Sequence, residues 1–144
     1  MSELKIYTIG AIKDVSLDEA MAWRDELSLW FETHSDKKMK LIHPPLFYNY
    51  ERKNHKTEKE IKDWELTQLK KCSVAVVNLD KINDSVGSHY ELATADMINR
   101  MGGDIFIIGF GNTENVHPWI LDSMFRIEES IADIGYYILD YLDI

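Results

Sequence analysis

The stretch of sequence that decides the fold is Ser73-Val74-Ala75-Val76-Val77-Asn78-Leu79, which is apolar almost throughout. A strand covered by helices on both faces has this composition, so we predict that it lies at the centre of a parallel sheet. A polar loop follows it over residues 80–86. A helix is predicted from about His89 to Met101, and Gly102-Gly103 ends it.

Strands and helices alternate on either side of this segment. The other predicted strands are 4–9, 39–43 and 104–110, which are rich in β-branched and aromatic residues. Ser16 or Asp18 can cap the helix that follows the first strand. Thr57 and Glu60 have the spacing of a capping box and predict the start of a further helix.

Two stretches lack a clear period. Residues 46–56 are predicted to form a loop after Pro44-Pro45, with Tyr48 and Tyr50 either lining a pocket or packing on the surface. Residues 117–120 (His-Pro-Trp-Ile) are predicted to contain a short edge strand, and helical residues follow from about Leu121.

This alternation predicts one domain over residues 1–144. We expect a three-layer α/β sandwich with a mostly parallel sheet of about five strands, flavodoxin-like or Rossmann-like. In such sheets ligands bind beyond the carboxyl ends of the strands. The loops in which to look for a site are therefore 10–14, 43–50, 78–91 and 109–119.

Composition excludes several classes of protein. An apolar content of 45% can fill a core, and no stretch approaches the ~18 uncharged apolar residues of a membrane span. The N-terminus lacks a signal-peptide pattern, and the lone Cys72 suits a reducing compartment, so we expect a cytoplasmic protein without a membrane partner. The whole net charge of −9 falls after residue 79, which excludes the cationic surface that a nucleic-acid polymer needs.

The loop after the central strand has the residues best suited to chemistry. Ser85, Gly87 and Ser88 precede the predicted helix, whose free N–H groups and dipole can bind an anion. Glu91 is predicted in the first turn, where the dipole favours the ionised carboxylate that a nucleophile requires. The alternative is that Glu91 only complements the helix dipole. The five histidines and Cys72 lack zinc-ligand spacing, and we expect no metal or cofactor.

The segment from Ser85 to Ala95, Ser-Val-Gly-Ser-His-Tyr-Glu-Leu-Ala-Thr-Ala, resembles the signature of the nucleoside 2-deoxyribosyltransferase superfamily. That superfamily also contains the 2'-deoxynucleoside 5'-monophosphate N-hydrolases. Tyr7-Thr-Ile-Gly10 is similar to its first strand and glycine turn, and Glu65 matches its acid eight residues before the third strand. The resemblance covers most of residues 5–126.

The resemblance implies a covalent mechanism. Glu91 would attack the anomeric carbon of a 2'-deoxyribosyl group and expel the base, and a second base or water would then attack the ester. Glu65, at a position where the family has Asp, would protonate the leaving base, and Asp63 is the nearby alternative. Tyr7 would position the nucleophile, and Gly10 would let the backbone approach the sugar.

The resemblance leaves the phosphorylation state of the substrate open. Ser85, with Ser88, matches the monophosphate hydrolases, because transferases that act on nucleosides have an aspartate at the position of Ser85. Asp122 or Ser123 lies in the stretch from which a neighbouring subunit completes the family's site, which implies a homo-oligomer with a shared active site. An Asp122 in that role would favour a free nucleoside.

Besides Glu65, the sequence departs from the family pattern at three places, one of which is Thr94, in place of the usual residue after Leu-Gly. His89 stands where the family has glycine, and the basic residue expected near Gly10 is at best Lys13. The first hypothesis is a deoxyribosyltransferase-like enzyme acting on a small nucleoside or nucleotide. The alternatives are an N-hydrolase of deoxynucleoside 5'-monophosphates and a nucleotide-binding sensor without turnover.

Overall fold

A five-stranded sheet forms the centre of the protein in a computed structural model that describes residues 3–48 and 56–142. Its strands are β1 (Leu4–Ile9), β2 (Met39–Ile42), β3 (Val74–Asn78), β4 (Phe106–Phe110) and β5 (Arg126–Glu128). All neighbouring strands pair in parallel, in the order β2-β1-β3-β4-β5. The predicted flavodoxin-like α/β architecture is thereby confirmed.

Helices cover both faces of this sheet. Those in the described residues are α1 (Leu17–His34), α2 (Pro44–Tyr48), α3 (Glu58–Lys70), α4 (Val86–Arg100), α5 (Pro118–Asp122) and α6 (Ile131–Tyr141), with a 3-10 turn at Ile82–Asp84. Helices α1 and α6 pack on one face, and α3 and α4 pack on the other. Among the described residues, no helix has the length and apolar composition needed to cross a membrane.

The core is built on the alternation of side chains along β3. Val74 and Val76 pack towards α1 and α6, whereas Ala75 and Val77 pack towards α3 and α4, and all four are fully buried. Because both faces of this strand are covered, it needs an apolar residue at every position rather than at alternate ones. The prediction that residues 73–79 form the central strand is confirmed.

Both predicted helix starts are present. Ser16, rather than Asp18, caps α1, and its hydroxyl accepts a 3.1 Å hydrogen bond from the backbone N–H of Glu19. Thr57 and Glu60 form the complete capping box of α3, in which each side chain bonds the other residue's backbone. These are local interactions, which is why the sequence pattern alone predicts them.

Two predicted elements are wrong, and one predicted helix begins earlier than expected. Residues 117–120 hold no strand: His117 Nδ1 caps α5, Pro118 occupies its first turn, and the fifth strand is β5. A proline at that position lacks only an N–H that helical bonding does not use, so it can begin a helix. The pair Pro44-Pro45 likewise begins α2, which extends to Tyr48 and so takes up the start of the predicted loop, and α4 begins at Val86 instead of about His89.

The prediction for Tyr50, and that for the side chain of Tyr48, lie outside the described residues.

The order of the strands places a crevice between β1 and β3. The chain leaves β1 towards β2 on one side of the sheet, and β3 pairs with β1 on the other side. At such a switch point the loops beyond the strands diverge, and this is where parallel α/β sheets bind ligands. The side chains of interest are therefore those that converge on β1 and β3.

The close approach of α1 and α6 at Gly135 gives a stability test. A Cβ atom at Gly135 would lie 2.5 Å from Cε3 of Trp30. Although alanine normally stabilises a helix relative to glycine, this overpacking outweighs the gain, so we expect Gly135→Ala to lower the free energy of unfolding by about 1 kcal/mol or more. Urea denaturation measures this change.

Gly87→Ala is the matched control, because a Cβ atom at Gly87 would meet no atom within 4 Å. Its free energy of unfolding should stay unchanged or rise. Equal stability of the two variants would contradict the packing of α1 against α6.

Candidate active site

Two of the predicted catalytic side chains are in direct contact. Tyr7 on β1 is fully buried, and its hydroxyl donates a hydrogen bond to Oε2 of Glu91 on α4. Glu91 is only 4% exposed, although it is a carboxylic acid. The fold thus brings together two polar groups that lie 84 residues apart in the chain.

Glu65 is the third member of this cluster. It lies half-buried on α3, and desolvation by burial raises the pKa of its carboxyl group. Desolvation also raises the pKa of Glu91, and the negative charge of Glu65 raises it further. Because two nearby carboxylates in a low-dielectric site repel each other, the pair keeps a proton at a pH at which ordinary glutamates have lost theirs.

Glu91 is not in the first turn of its helix. Since α4 begins at Val86, Glu91 is the sixth helical residue. The field of the helix dipole falls off within the first turn, so the predicted stabilisation of the Glu91 carboxylate by the dipole is wrong. Instead, the hydrogen bond from Tyr7 and the charge of Arg24 favour the ionised form of Glu91 against its burial.

The structure distinguishes between the two acids predicted on α3. Asp63 is exposed and pairs with Lys59 one helical turn away, which lowers the pKa of the Asp63 carboxyl group. Glu65 is half-buried, and its negative charge raises the pKa of both Glu91 and Tyr7. Of the two, Glu65 is therefore the one whose charge raises the pKa of Glu91.

Arg24 is the residue that sequence reasoning missed. It is completely buried, its Nε–H donates to Oγ1 of Thr8 at 3.0 Å, and its Nη2 donates to the carbonyl of Gly10 at 3.4 Å. Lys13, the predicted basic residue near Gly10, is exposed. The sequence did contain a sign of this burial. Arg24 comes four residues after Ala20, and this spacing puts its charge on the apolar side of α1.

Thr8, which accepts a hydrogen bond from Arg24, also contacts a buried histidine, His43. The Thr8 hydroxyl donates to the carbonyl of Ile42 at 3.1 Å and lies 3.0 Å from Nδ1 of His43. The Ser28 hydroxyl lies 2.9 Å from Nε2 of His43. A neutral His43 that donates from Nδ1 to Thr8 and accepts at Nε2 from Ser28 satisfies every one of these contacts. Burial and the charge of Arg24 hold the pKa of His43 at about 4.

The residues predicted to bind an anion form the start of α4. Ser85 is the N-cap residue, and its hydroxyl lies 2.7 Å from that of the buried Ser88. Gly87 is exposed, with open space where a side chain would be. His89, which departs from the family pattern, bonds through Nε2 to the carbonyl of Ile82 at 2.7 Å and so holds the 3-10 turn against α4.

Gly10 has a packing role in this fold. A Cβ atom at this position would lie 2.8 Å from Cζ2 of Trp23, whose ring also stacks on the guanidinium of Arg24. Glycine is therefore required for contact between the end of β1 and α1. The prediction that Gly10 lets a ligand approach the backbone stays a prediction, because this packing does not test it.

Asp122 and Ser123 do not join the other candidates within one chain. They lie at the end of α5, where the Ser123 hydroxyl donates to the carbonyl of Trp119 at 2.9 Å. The negative charge of Asp122 contributes to a raised pKa of Arg100, which lies in the last turn of α4. Arg100 is nine residues beyond Glu91, roughly 13 Å along the helix axis. Any role for Asp122 or Ser123 at Glu91 therefore requires a second subunit.

A separate polar cleft of about 320 Å³ lies beyond β3 and β4. Its polar lining includes Asn78, Asp80, Asn83, Asp84, Asn112 and Glu114. Within residues 3–48 and 56–142, no group of three or more His, Cys, Asp or Glu side chains is arranged to hold a metal ion.

Comparison of the sequence with models of protein families gives no match, and comparison with curated proteins finds no significant similarity.

The buried, neutral His43 predicts a pH dependence of stability. Its pKa of about 4 in the folded protein lies below the ordinary 6.5, so the unfolded chain binds the proton more tightly. Stability from this group is present above pH 6.5 and is lost as the pH falls through 4. Relative to His43→Gln, the wild-type protein should lose as much as about 3 kcal/mol over this range.

Urea denaturation of both proteins between pH 7 and pH 4 measures this difference. Glu65 and Glu91 titrate in both proteins, so the comparison removes their contribution. Stability curves that stay parallel over the whole range would contradict a buried, neutral His43.

Proposed function

We propose that the protein is an enzyme that cleaves the N-glycosidic bond of 2'-deoxynucleosides or their 5'-monophosphates. The observation that supports this function is the buried cluster of Tyr7, Glu91 and Glu65 beside the crevice between β1 and β3. Two buried carboxyl groups, one ionised and one protonated, provide a nucleophile and an acid in one site, which is what cleavage of a glycosidic bond requires.

The reaction has two balanced steps. In the first, a Glu91 carboxylate oxygen bonds to C1' of the sugar, the bond from C1' to the base nitrogen breaks, and Glu65 gives its proton to the leaving base. In the second, a nitrogen of another base, or water, attacks C1' and releases the Glu91 carboxylate. Glu65 takes up the proton from the attacking group and returns to its starting state.

The hydrogen bond from Tyr7 favours this division of roles. The Tyr7 hydroxyl donates to Glu91, whereas the charge of the buried Arg24 guanidinium lowers the pKa of both Glu91 and Glu65. A donor aimed at Glu91 favours the carboxylate form there, which leaves the proton of the pair to Glu65. Glu91 is then the nucleophile and Glu65 the general acid.

The resemblance of residues 5–126 to the deoxyribosyltransferase superfamily supports transfer to a second base as the first assignment. Hydrolysis is the alternative, because both reactions pass through the same ester and differ only in the second attacking group. The same resemblance supports a homo-oligomer in which Asp122 or Ser123 of a neighbouring subunit completes the site. Small nucleosides or nucleotides are the proposed partners, and no cofactor takes part in either step.

Replacing the nucleophile tests the proposal. Glu91→Gln keeps the shape of the side chain and can still accept the hydrogen bond from Tyr7, but it cannot form the ester. We expect product formation to fall by more than about 10³-fold while binding of the deoxynucleoside or deoxynucleotide persists. Chromatography of free and exchanged bases, with a second base present, measures turnover, and calorimetry measures binding.

Asp63→Asn is the matched control, because Asp63 is an exposed acid on the same helix as Glu65. It should retain wild-type turnover. A wild-type protein that binds nucleotide but yields no product would favour the sensor. A slow rate that is unchanged in Glu91→Gln would contradict the role of Glu91.

Ser85 provides a test of the substrate's phosphorylation state. An aspartate is a good N-cap residue, so Ser85→Asp should leave α4 intact while it adds a negative charge at the start of the helix. If the 5'-phosphate lies there, we expect kcat/KM for 5'-monophosphates to fall at least about tenfold relative to nucleosides, because the two anions repel each other.

Steady-state kinetics with matched nucleoside and monophosphate pairs measures this ratio. Ser85→Asn is the uncharged control and should leave it near the wild-type value. An equal effect of both variants on both substrates would place the phosphate elsewhere.

A further inference from the structure

The outward side of α4 bears a stripe of exposed apolar residues. The stripe consists of Val86, Tyr90, Ala93, Met97 and Met101. Its four large members are between 54% and 80% exposed. Their spacing of four, three, four and four residues keeps them on one side of the helix. Single apolar side chains are ordinary on a protein surface, but a continuous stripe indicates a contact surface.

The stripe is symmetric about the midpoint between Ala93 and Thr94. Val86 and Met101 are equally far from that point, as are Tyr90 and Met97. If a second copy of α4 crosses antiparallel there, Val86 meets the partner's Met101 and Tyr90 meets the partner's Met97. The small residues meet at the crossing, where the backbones come closest. A two-fold contact between identical surfaces requires such self-complementarity.

The charges along α4 also fit an antiparallel pair. Arg100, near the C-terminal end of the stripe, would lie level with the partner's Gly87, three residues along the chain from the partner's Asp84 in the 3-10 turn that precedes α4. Asp84 is exposed, and the side chain of Arg100 is mostly exposed beside Asp96. A parallel pair would instead place the two Arg100 side chains together. Charge complementarity therefore favours a second, antiparallel copy of this chain.

We propose that the outward face of α4 is the contact surface of a homodimer in which two copies of α4 cross antiparallel at Ala93 and Thr94. This inference does not depend on catalysis. It has a consequence for the site, because the partner's Met97 packs against Tyr90, the residue next to Glu91. On its other side Tyr90 already contacts α3, with Nζ of Lys62 lying 5.6 Å from the centre of its ring.

Sedimentation velocity of the full chain at micromolar concentrations tests the dimer. We expect the wild-type protein to be a dimer and Met97→Glu to be a monomer with an unchanged circular-dichroism spectrum. Leu29→Glu is the matched control, because Leu29 is a 62% exposed apolar residue on α1, across the sheet. It should remain a dimer.

Cysteine cross-linking tests the register, since the single native cysteine, Cys72, is buried. On mild oxidation Ala93→Cys should form a disulfide-linked dimer. Met101→Cys alone should not, because its two copies would lie about 22 Å apart along the helices. An equal mixture of Val86→Cys and Met101→Cys should form mixed dimers.

A monomeric wild-type protein, or a dimer that persists in Met97→Glu, would overturn the proposal. Self-cross-linking of Met101→Cys, or its absence in Ala93→Cys, would overturn the antiparallel crossing. None of these outcomes depends on turnover, so failure of the dimer proposal can be distinguished from failure of the proposed enzyme activity.

Discussion

The burial of opposite charges at the end of β1 is the constraint on which the rest of the site depends. Arg24 is completely buried and Glu91 nearly so, and taking either charge out of water is costly. The structure offsets the cost with hydrogen bonds from Arg24 to Thr8 and Gly10 and from Tyr7 to Glu91. Because Tyr7 and Thr8 lie on β1 and Gly10 follows it directly, the position of β1 determines the electrostatics of the whole cluster.

The strand alternation divides this cluster between the two faces of the sheet. Tyr7 points towards α3 and α4, where the glutamates lie, whereas Thr8 points towards α1 and contacts Arg24 and His43. Arg24 interacts with both groups. It bonds to Thr8 and to the carbonyl of Gly10 just beyond the strand, and its charge lowers the pKa of Glu91. A shift of β1 by one residue would exchange the two faces and separate every one of these pairs.

Much of the fold could be predicted because it depends on local patterns. The almost wholly apolar segment at residues 73–79 predicted the central strand, and Ser16 and Thr57 predicted two helix starts. The errors fall where one pattern fits two structures. Pro44 and Pro118 can end a strand or begin a helix, and the sequence nearby does not decide between these outcomes.

The sequence by itself determined the alternation of strands and helices, the central strand and which residues could carry chemistry. Only the tertiary structure decided that Glu65 rather than Asp63 interacts electrostatically with Glu91, that the Arg24 guanidinium is buried, and that burial rather than the helix dipole governs the pKa of Glu91. The reason is physical. A propensity depends on neighbours along the chain, whereas desolvation and Coulomb interactions depend on neighbours in space, and those belong to β1, α1, α3 and α4 together.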